Sequence, residues 1–115
     1  MLAKASRLRN ARDIARVYKR GTYGASGGVL SVKAAPSGRS HARLVVVVPK
    51  KVDKRAVIRN RIRRRLLGSI GQNLATLGPG YDIVISVHRD VSEFTTQALS
   101  NHLMAALQKA GVIKG

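Results

Sequence analysis

RAVIRNRIRRR (residues 55–65) sets six arginines among eleven positions with no acidic residue, and it threads the apolar Val57, Ile58 and Ile62 between them. A disordered basic tail has no use for the second feature. From Ile58 the apolar positions continue through Ile62, Leu66 and Ile70, a stripe drifting about 40° per step around a helix of 3.6 residues per turn. The spacing predicts a helix with one side to bury, and Asp53 ahead of it stands as a cap.

What flanks this helix decides the architecture. Residues 43–48, with four consecutive valines, predict a strand covered at least in part on both faces, and residues 81–87 predict another after Gly78-Pro79-Gly80. A helix between two strands predicts a crossover connection. Upstream, residues 29–35 are β-branched and end at Pro36-Ser37-Gly38, so they and residues 43–48 read as an antiparallel hairpin. Gly24, Gly27 and Gly28 read as breaks before that strand. Asn10 followed by Asp13 resembles a capping box, and Ile14, Val17 and Tyr18 then recur at helical spacing, giving a helix over 11–20 stopped by Gly21. Thr95 caps a last helix with Leu99, Leu103, Ala106 and Leu107 on one face, ending at Gly111. With no internal repeat and no interior linker, residues 1–115 are expected to form one α+β domain, a mixed sheet partly covered by helices.

Composition says what this domain meets. A chain of 115 residues buries roughly two thirds of its unfolded surface in a single core. Tyr18, Tyr23, Tyr81 and Phe94 are its only aromatics, so that core is mostly aliphatic. Against 22 Lys and Arg stand only Asp13, Asp53, Asp82, Asp90 and Glu93, a net charge of +17. Such an excess calls for an anionic partner, nucleic acid or an acidic membrane surface. No membrane is expected, because an apolar run such as residues 44–48 falls far short of the ~20 residues of a spanning helix. MLAKASRLRN lacks the apolar segment of a secretory signal, and without Cys there is no disulfide framework, so the expected compartment is the cytoplasm.

The charge is also localised: nine basic residues lie between Lys50 and Arg65, seven in the first twenty residues, and only Arg89, Lys109 and Lys114 from Leu66 on. Arg61 and Arg64 project away from the Ile58/Ile62 stripe, with Asn60 beside them, while Arg59, Arg63 and Arg65 flank it. Like charges at three- and four-residue spacing destabilise a free helix, so the face is read as a phosphate-binding surface. Chemistry is harder to find. His41, His88 and His102 lack metal-ligand spacing and read as surface or loop residues; no G-x-S-x-G turn is present; and the glycines of residues 21–28 lack a G-K-[ST] ending. The residues alone point to nucleic acid without choosing RNA over DNA: a ribosomal or RNA-chaperone protein and a DNA-binding regulator both stay open.

KKVDKRAVIRNRIRR (residues 50–64) resembles the signature of the bacterial ribonuclease P protein subunit, in which two basic residues and a short connector lead into a helix opening R-N-R-x-[KR]-R. Arg7-Leu8 with Asp13-Ile14, Val17-Tyr18 and Gly21 is similar to the family's N-terminal pattern. Gly80-Tyr81-Asp82-Ile83-Val84 resembles its G-x-D strand, and LMAALQKAG (residues 103–111) resembles its closing segment. Four motifs in the right order over nearly the whole chain make the likeness specific.

The resemblance implies the order α-β-β-(β)-α-β-α, a mixed sheet of about four strands and a left-handed βαβ crossover at the arginine helix. It implies a subunit of the endoribonuclease that removes the 5′ leader of precursor tRNA. There the catalytic RNA and its Mg²⁺ perform the hydrolysis, no protein residue is catalytic, and the holoenzyme can dimerise. Carried over, Arg59, Asn60, Arg61, Arg63 and Arg64, with Arg55, are expected to contact the catalytic RNA. Ile14, Tyr18, Lys50 and Lys51, with Val32 and Val46 on the sheet, are expected to line a leader cleft between the first helix and the sheet. Tyr18 offers a stacking face, whereas Ile14 is as readily core. Departures are Ile14 where the family has Phe, Lys33 near an expected aromatic, Val45 near a common glycine, and Arg65 and Leu67, which shift the family's Leu-x-Arg.

Overall fold

In the computed structural model, which describes residues 7–71 and 80–113, the elements run α1 (Ala11–Arg20), β1 (Thr22–Ser26), β2 (Leu30–Pro36), β3 (Arg43–Val47), α2 (Ala56–Gly71), β4 (Tyr81–Val87) and α3 (Thr96–Lys109). Gly78 and Pro79 lie outside the described residues. The four strands form one mixed sheet in the order β1-β2-β4-β3. β4 pairs parallel with β3 and antiparallel with β2. The crossover through α2 is therefore present, as the pattern around residues 55–65 predicted.

The hairpin predicted from residues 29–35 and 43–48 is corrected: β2 and β3 do not pair, because β4 lies between them. β4 is the strand suited to the centre. It carries Ile83, Ile85 and Val87 on one face and Val84 on the other, all buried, so both its faces need cover and both its edges need partners. The actual hairpin joins β1 to β2, with Thr22 opposite Ala34 and Ser26 opposite Leu30. The glycines read as breaks belong to it. Gly27 and Gly28 take φ of 53° and 69°, the left-handed values that tight hairpin turns require, and Val29 N–H donates to Ser26 O at 2.9 Å. Gly24 lies inside β1, where a Cβ would stand 2.2 Å from Ala106 O of α3, so its hydrogen lets strand and helix approach.

The sheet divides the molecule into a closed face and a partly open one. On the closed face α2 and α3 cover the main core, in which Ile62, Leu66 and Ile70 meet Leu44, Val46, Ile83 and Ile85, and Leu99, Leu103, Ala106 and Leu107 meet Leu30 and Val32. Ile58 packs at the edge of this cluster, half-buried. On the other face α1 crosses the sheet over a smaller cluster of Leu8, Val17, Ala35 and Val84. β3 and the residue that follows it thus have Leu44, Val46 and Val48 buried on one side and Val45 and Val47 half-buried on the other, as the four valines predicted. Leu8 N–H donates to Leu44 O at 2.9 Å, so the chain before α1 covers part of the outer edge of β3.

The predicted caps at Asn10 and Thr95 are in place: Asn10 accepts from the N–H groups of Arg12 and Asp13, and Thr95 Oγ1 from that of Ala98. The capping box is only half made. Asp13, free to return to Asn10, instead bonds Arg43 at 3.1 Å.

Candidate nucleic-acid interface

The Ile62/Leu66/Ile70 stripe seats α2 on the sheet and so fixes where each arginine goes. Arg59 donates to the carbonyls of Asp53 and Lys54 at 3.0 and 2.8 Å, tying the helix to its own connector. Arg63 is held by Asn60 Oδ1 at 2.5 Å and reaches Val46 O at 3.4 Å. Arg65 donates to Val91 O and Ser92 O at 3.1 and 3.3 Å and to Phe94 O, fastening the loop after β4 onto α2. Carbonyl acceptors hold these groups without neutralising them, so the positive charge stays in place with reduced freedom.

Arg55 is the exception, since Asp53 takes it in a bidentate pair at 3.0 and 3.1 Å. Asp53 also accepts Arg55 N–H at 2.8 Å, so it caps the turn leading into α2 rather than the helix itself. The Arg55 side chain and backbone N–H together hold the Asp53 carboxyl below the usual carboxylate range. Arg61 and Arg64 are exposed and have no protein partner among the described residues. They share the outer face of α2 with Val57, itself 59% exposed. Of the predicted arginines, these two are left fully available to an anion.

The residues expected to line a cleft between α1 and the sheet are brought together only in part. Val32 and Val46 are corrected. They lie in one row with Gly24 and Ile85, on the face covered by α2 and α3, and are 0% and 3% exposed. Side chains alternate along a strand, so choosing these two rather than their neighbours selected the wrong face. The residues on the α1 side are Lys33 in β2 and Val45 and Val47 in β3, with Tyr23, Ser31, Val84 and Ser86 in the same two rows. Ile14 packs against the small cluster there, half-buried with Val45 and Val47. Tyr18, one turn further on, is 46% exposed at the end of α1 and has its carbonyl bonded by Lys33 Nζ at 2.9 Å. Lys50 and Lys51 are exposed in the turn that follows β3.

Tyr23, 59% exposed beside Lys33, belongs to this open face, and the glycines around it hide its strand from a reading of local pattern. His88, bonded through Nε2 to Ser31 at 2.7 Å, stands just past the end of β4. His102 is not a loop residue: it sits half-buried on α3, 2.7 Å from Ser26 Oγ and against the Phe94 ring.

Beneath α1 lies an ion network that composition alone does not reveal. Asp82, 0% exposed, accepts two bonds from Arg43 at 2.7 and 2.8 Å and one from Arg16 at 2.5 Å. Parallel pairing places Arg43 directly beside Asp82 in the sheet, and the Asp82 bond together with that to Asp13 holds the Arg43 guanidinium above its usual range. Both oxygens of this carboxylate are thus occupied by guanidinium groups. Among the described residues no three His, Asp or Glu side chains come together as a metal site.

Comparison with known proteins places this arrangement. The family profile described as Ribonuclease P matches residues 2–111. The ribonuclease P protein component of a Pseudanabaena species is 39% identical, over 100% of this chain and 99% of its own length. That of Rippkaea orientalis is 35% identical, over 99% and 93%. Among solved structures, the RNase P protein of Staphylococcus aureus superposes with a TM-score of 0.82 at 27% identity, covering 96% of this chain and 100% of that one. The RNase P protein of Thermotoga maritima gives 0.78 at 26% identity, covering 95% and 98%.

Proposed function

Since the chain belongs to the ribonuclease P protein family, we propose that it binds the catalytic RNA of ribonuclease P through α2 and holds the 5′ leader of precursor tRNA on the open sheet face beside α1. The observation that carries this reading is the pair Arg61 and Arg64. They are held out from a helix whose opposite side is buried, with no carboxylate paired to them among the described residues. Guanidinium groups arranged this way engage phosphates through bidentate bonds without first breaking a protein contact. The leader would run over Lys33 and Ser86, with Tyr18 and Tyr23 as stacking faces and Lys50 and Lys51 beyond the strand ends. The RNA and Mg²⁺ bound to it would carry out the hydrolysis, and the protein would act in the cytoplasm by positioning substrate.

Reconstitution tests the reading. Mixed with a bacterial ribonuclease P RNA and precursor tRNA at low Mg²⁺, the protein should enhance leader cleavage over RNA alone; equal rates would refute the proposal. The cleft has its own test, because a stacked base contributes roughly 1–3 kcal/mol. Tyr18→Ala should weaken precursor tRNA affinity about fivefold or more and leave mature tRNA affinity unchanged, whereas equal losses for both would remove Tyr18 from the leader site.

A further inference from the structure

On the far side of α2 from the N-terminal strap, the first turns of the helix and the loop between β4 and α3 enclose a cleft of about 420 Å³. Arg55, Arg61 and Arg89 stand around it, and Ile58 and Phe94 form its apolar part. Arg65 holds the loop against the helix from behind through its bonds to Val91, Ser92 and Phe94 carbonyls, so the cleft is fastened at its base. The Arg89 guanidinium lies 5.7 Å from the Phe94 ring centroid, within cation–π range, and is thereby presented as a flat surface.

The acidic residues make this more than a phosphate site. Asp82 and Asp13 are occupied with Arg43 on the other face of the sheet. Asp53 is spent on Arg55, and Asp90, which lines the cleft, on the Ser92 N–H and hydroxyl at 2.8 and 2.6 Å. Glu93 is left: an exposed carboxylate on the cleft with no partner among the described residues, although three guanidinium groups share the space. In a phosphate-binding surface an unpaired carboxylate opposes binding, whereas toward a donor-rich ligand it supplies an acceptor. A carboxylate only accepts hydrogen bonds. Of the four RNA bases, guanine alone presents two adjacent donors, N1–H and N2–H₂, on its Watson–Crick edge. The other three place an acceptor beside each donor, which a carboxylate repels. Unpaired bases are read in this manner, stacked on aromatic or guanidinium planes and bonded along that edge.

We propose that this cleft binds one unpaired guanine nucleotide of the catalytic RNA, with the base stacked on Arg89 over Phe94, its donor edge on Glu93 and its phosphate at Arg61. The inference rests on the proposed binding of that RNA by α2. The cleft adjoins Arg61 on the helix, and the sheet separates it from the leader face, so the catalytic RNA and not the leader is its source.

Electrostatics and the proposal predict opposite signs for one substitution. Removing a negative charge from an RNA-binding surface tightens binding if the surface acts by charge alone. Glu93→Gln should instead weaken affinity for a bacterial ribonuclease P RNA, and Arg89→Ala should weaken it about fivefold or more, the low end for one lost stack. Both residues are exposed, and circular dichroism of each variant checks that the fold is kept. Mapping the complex with a dicarbonyl reagent that modifies N1 and N2 of unpaired guanines supplies the second readout. The wild-type chain should protect a discrete guanine that regains reactivity with saturating Glu93→Gln or Arg89→Ala. Saturating Arg64→Ala, which lowers affinity elsewhere on α2, should leave it protected. Tighter binding by Glu93→Gln, or protection retained in both cleft variants, overturns the proposal. RNA binding without a protected guanine overturns it alone; failure of the wild-type chain to bind the RNA overturns the functional reading with it.

Discussion

Among the described residues Arg61 and Arg64 give no guanidinium donor to the protein, while Arg59, Arg63 and Arg65 each give some to backbone carbonyls. Replacing either free arginine by Ala should therefore weaken catalytic RNA binding without destabilising the fold. It should also flatten the dependence of log K on log salt, by up to about one unit for each phosphate that is no longer neutralised. Affinities measured across a salt series check this, and an unchanged slope would show that the arginine touches no phosphate. Asp82 works in the opposite direction, on stability. It is the buried counter-charge to Arg43, whose side chain is only 12% exposed, and to the more exposed Arg16. Asp82→Asn leaves a largely buried cation short of its partner, a change that costs roughly 3 kcal/mol where buried pairs are broken. Urea denaturation should show that loss, and Arg43→Ala in the Asp82→Asn background should recover part of it. The outward placement of Arg61 and Arg64 is legible from the residues alone, and the role of Asp82 is not. In the sequence Asp82 is only the start of a strand, because its partners lie 39 and 66 positions away. Asn60 is visible there as a signature residue, and only the fold shows its side chain holding Arg63.

At the scale of elements, periodicity is legible in the sequence and pairing is not. The apolar stripe of α2, the cap at Thr95, the both-face burial of β3 and the existence of β4 follow from local pattern, which one stretch of chain contains in full. Which strands touch does not. β2 and β3 are joined by a connection short enough for a hairpin, yet β4, apolar and buried on both faces, inserts between them. The misplacement of Val32 and Val46 has the same origin: a strand's alternation gives two faces, but only packing tells which one α1 covers. β1 escapes a local reading because Gly24 looks like a breaker when its reason is tertiary. Gly24→Ala tests that reason directly. The new Cβ would fall 2.2 Å from Ala106 O and 2.6 Å from Ala110 N, backbone atoms that cannot rotate away. Forcing β1 off α3 should destabilise the domain by about 1–3 kcal/mol, the usual range for overpacking, read as a lower urea midpoint. An unchanged midpoint would mean the two elements slide without cost.

Across the whole molecule, a net charge of +17 is held within a Cα radius of gyration of 13.0 Å, about the ~13 Å of an uncharged domain this long. The sheet makes this arrangement possible by sorting the charge. Asp82 and Asp13 go to Arg43 and Arg16 under α1 and Asp53 to Arg55 at the start of α2, while Arg61, Arg64, Lys50 and Lys51 remain at the surface without partners among the described residues. Folding therefore concentrates like charge that the unfolded chain spreads out, and an anion that binds the concentrated sites binds the folded state preferentially. Linkage then stabilises folding by RT ln(1 + [L]/Kd), about 2.7 kcal/mol at a hundredfold excess over Kd for one site. Inorganic phosphate, which accepts a bidentate guanidinium fork, should raise the thermal midpoint more than chloride at equal ionic strength. Chloride at that ionic strength supplies the same general screening, so the difference isolates site binding. In Arg61→Ala/Arg64→Ala the phosphate advantage should shrink while the midpoint in chloride holds or rises, since two mutually repelling charges have gone. Coincident midpoints in the two salts for the wild-type chain would show that its free arginines act only through their average field.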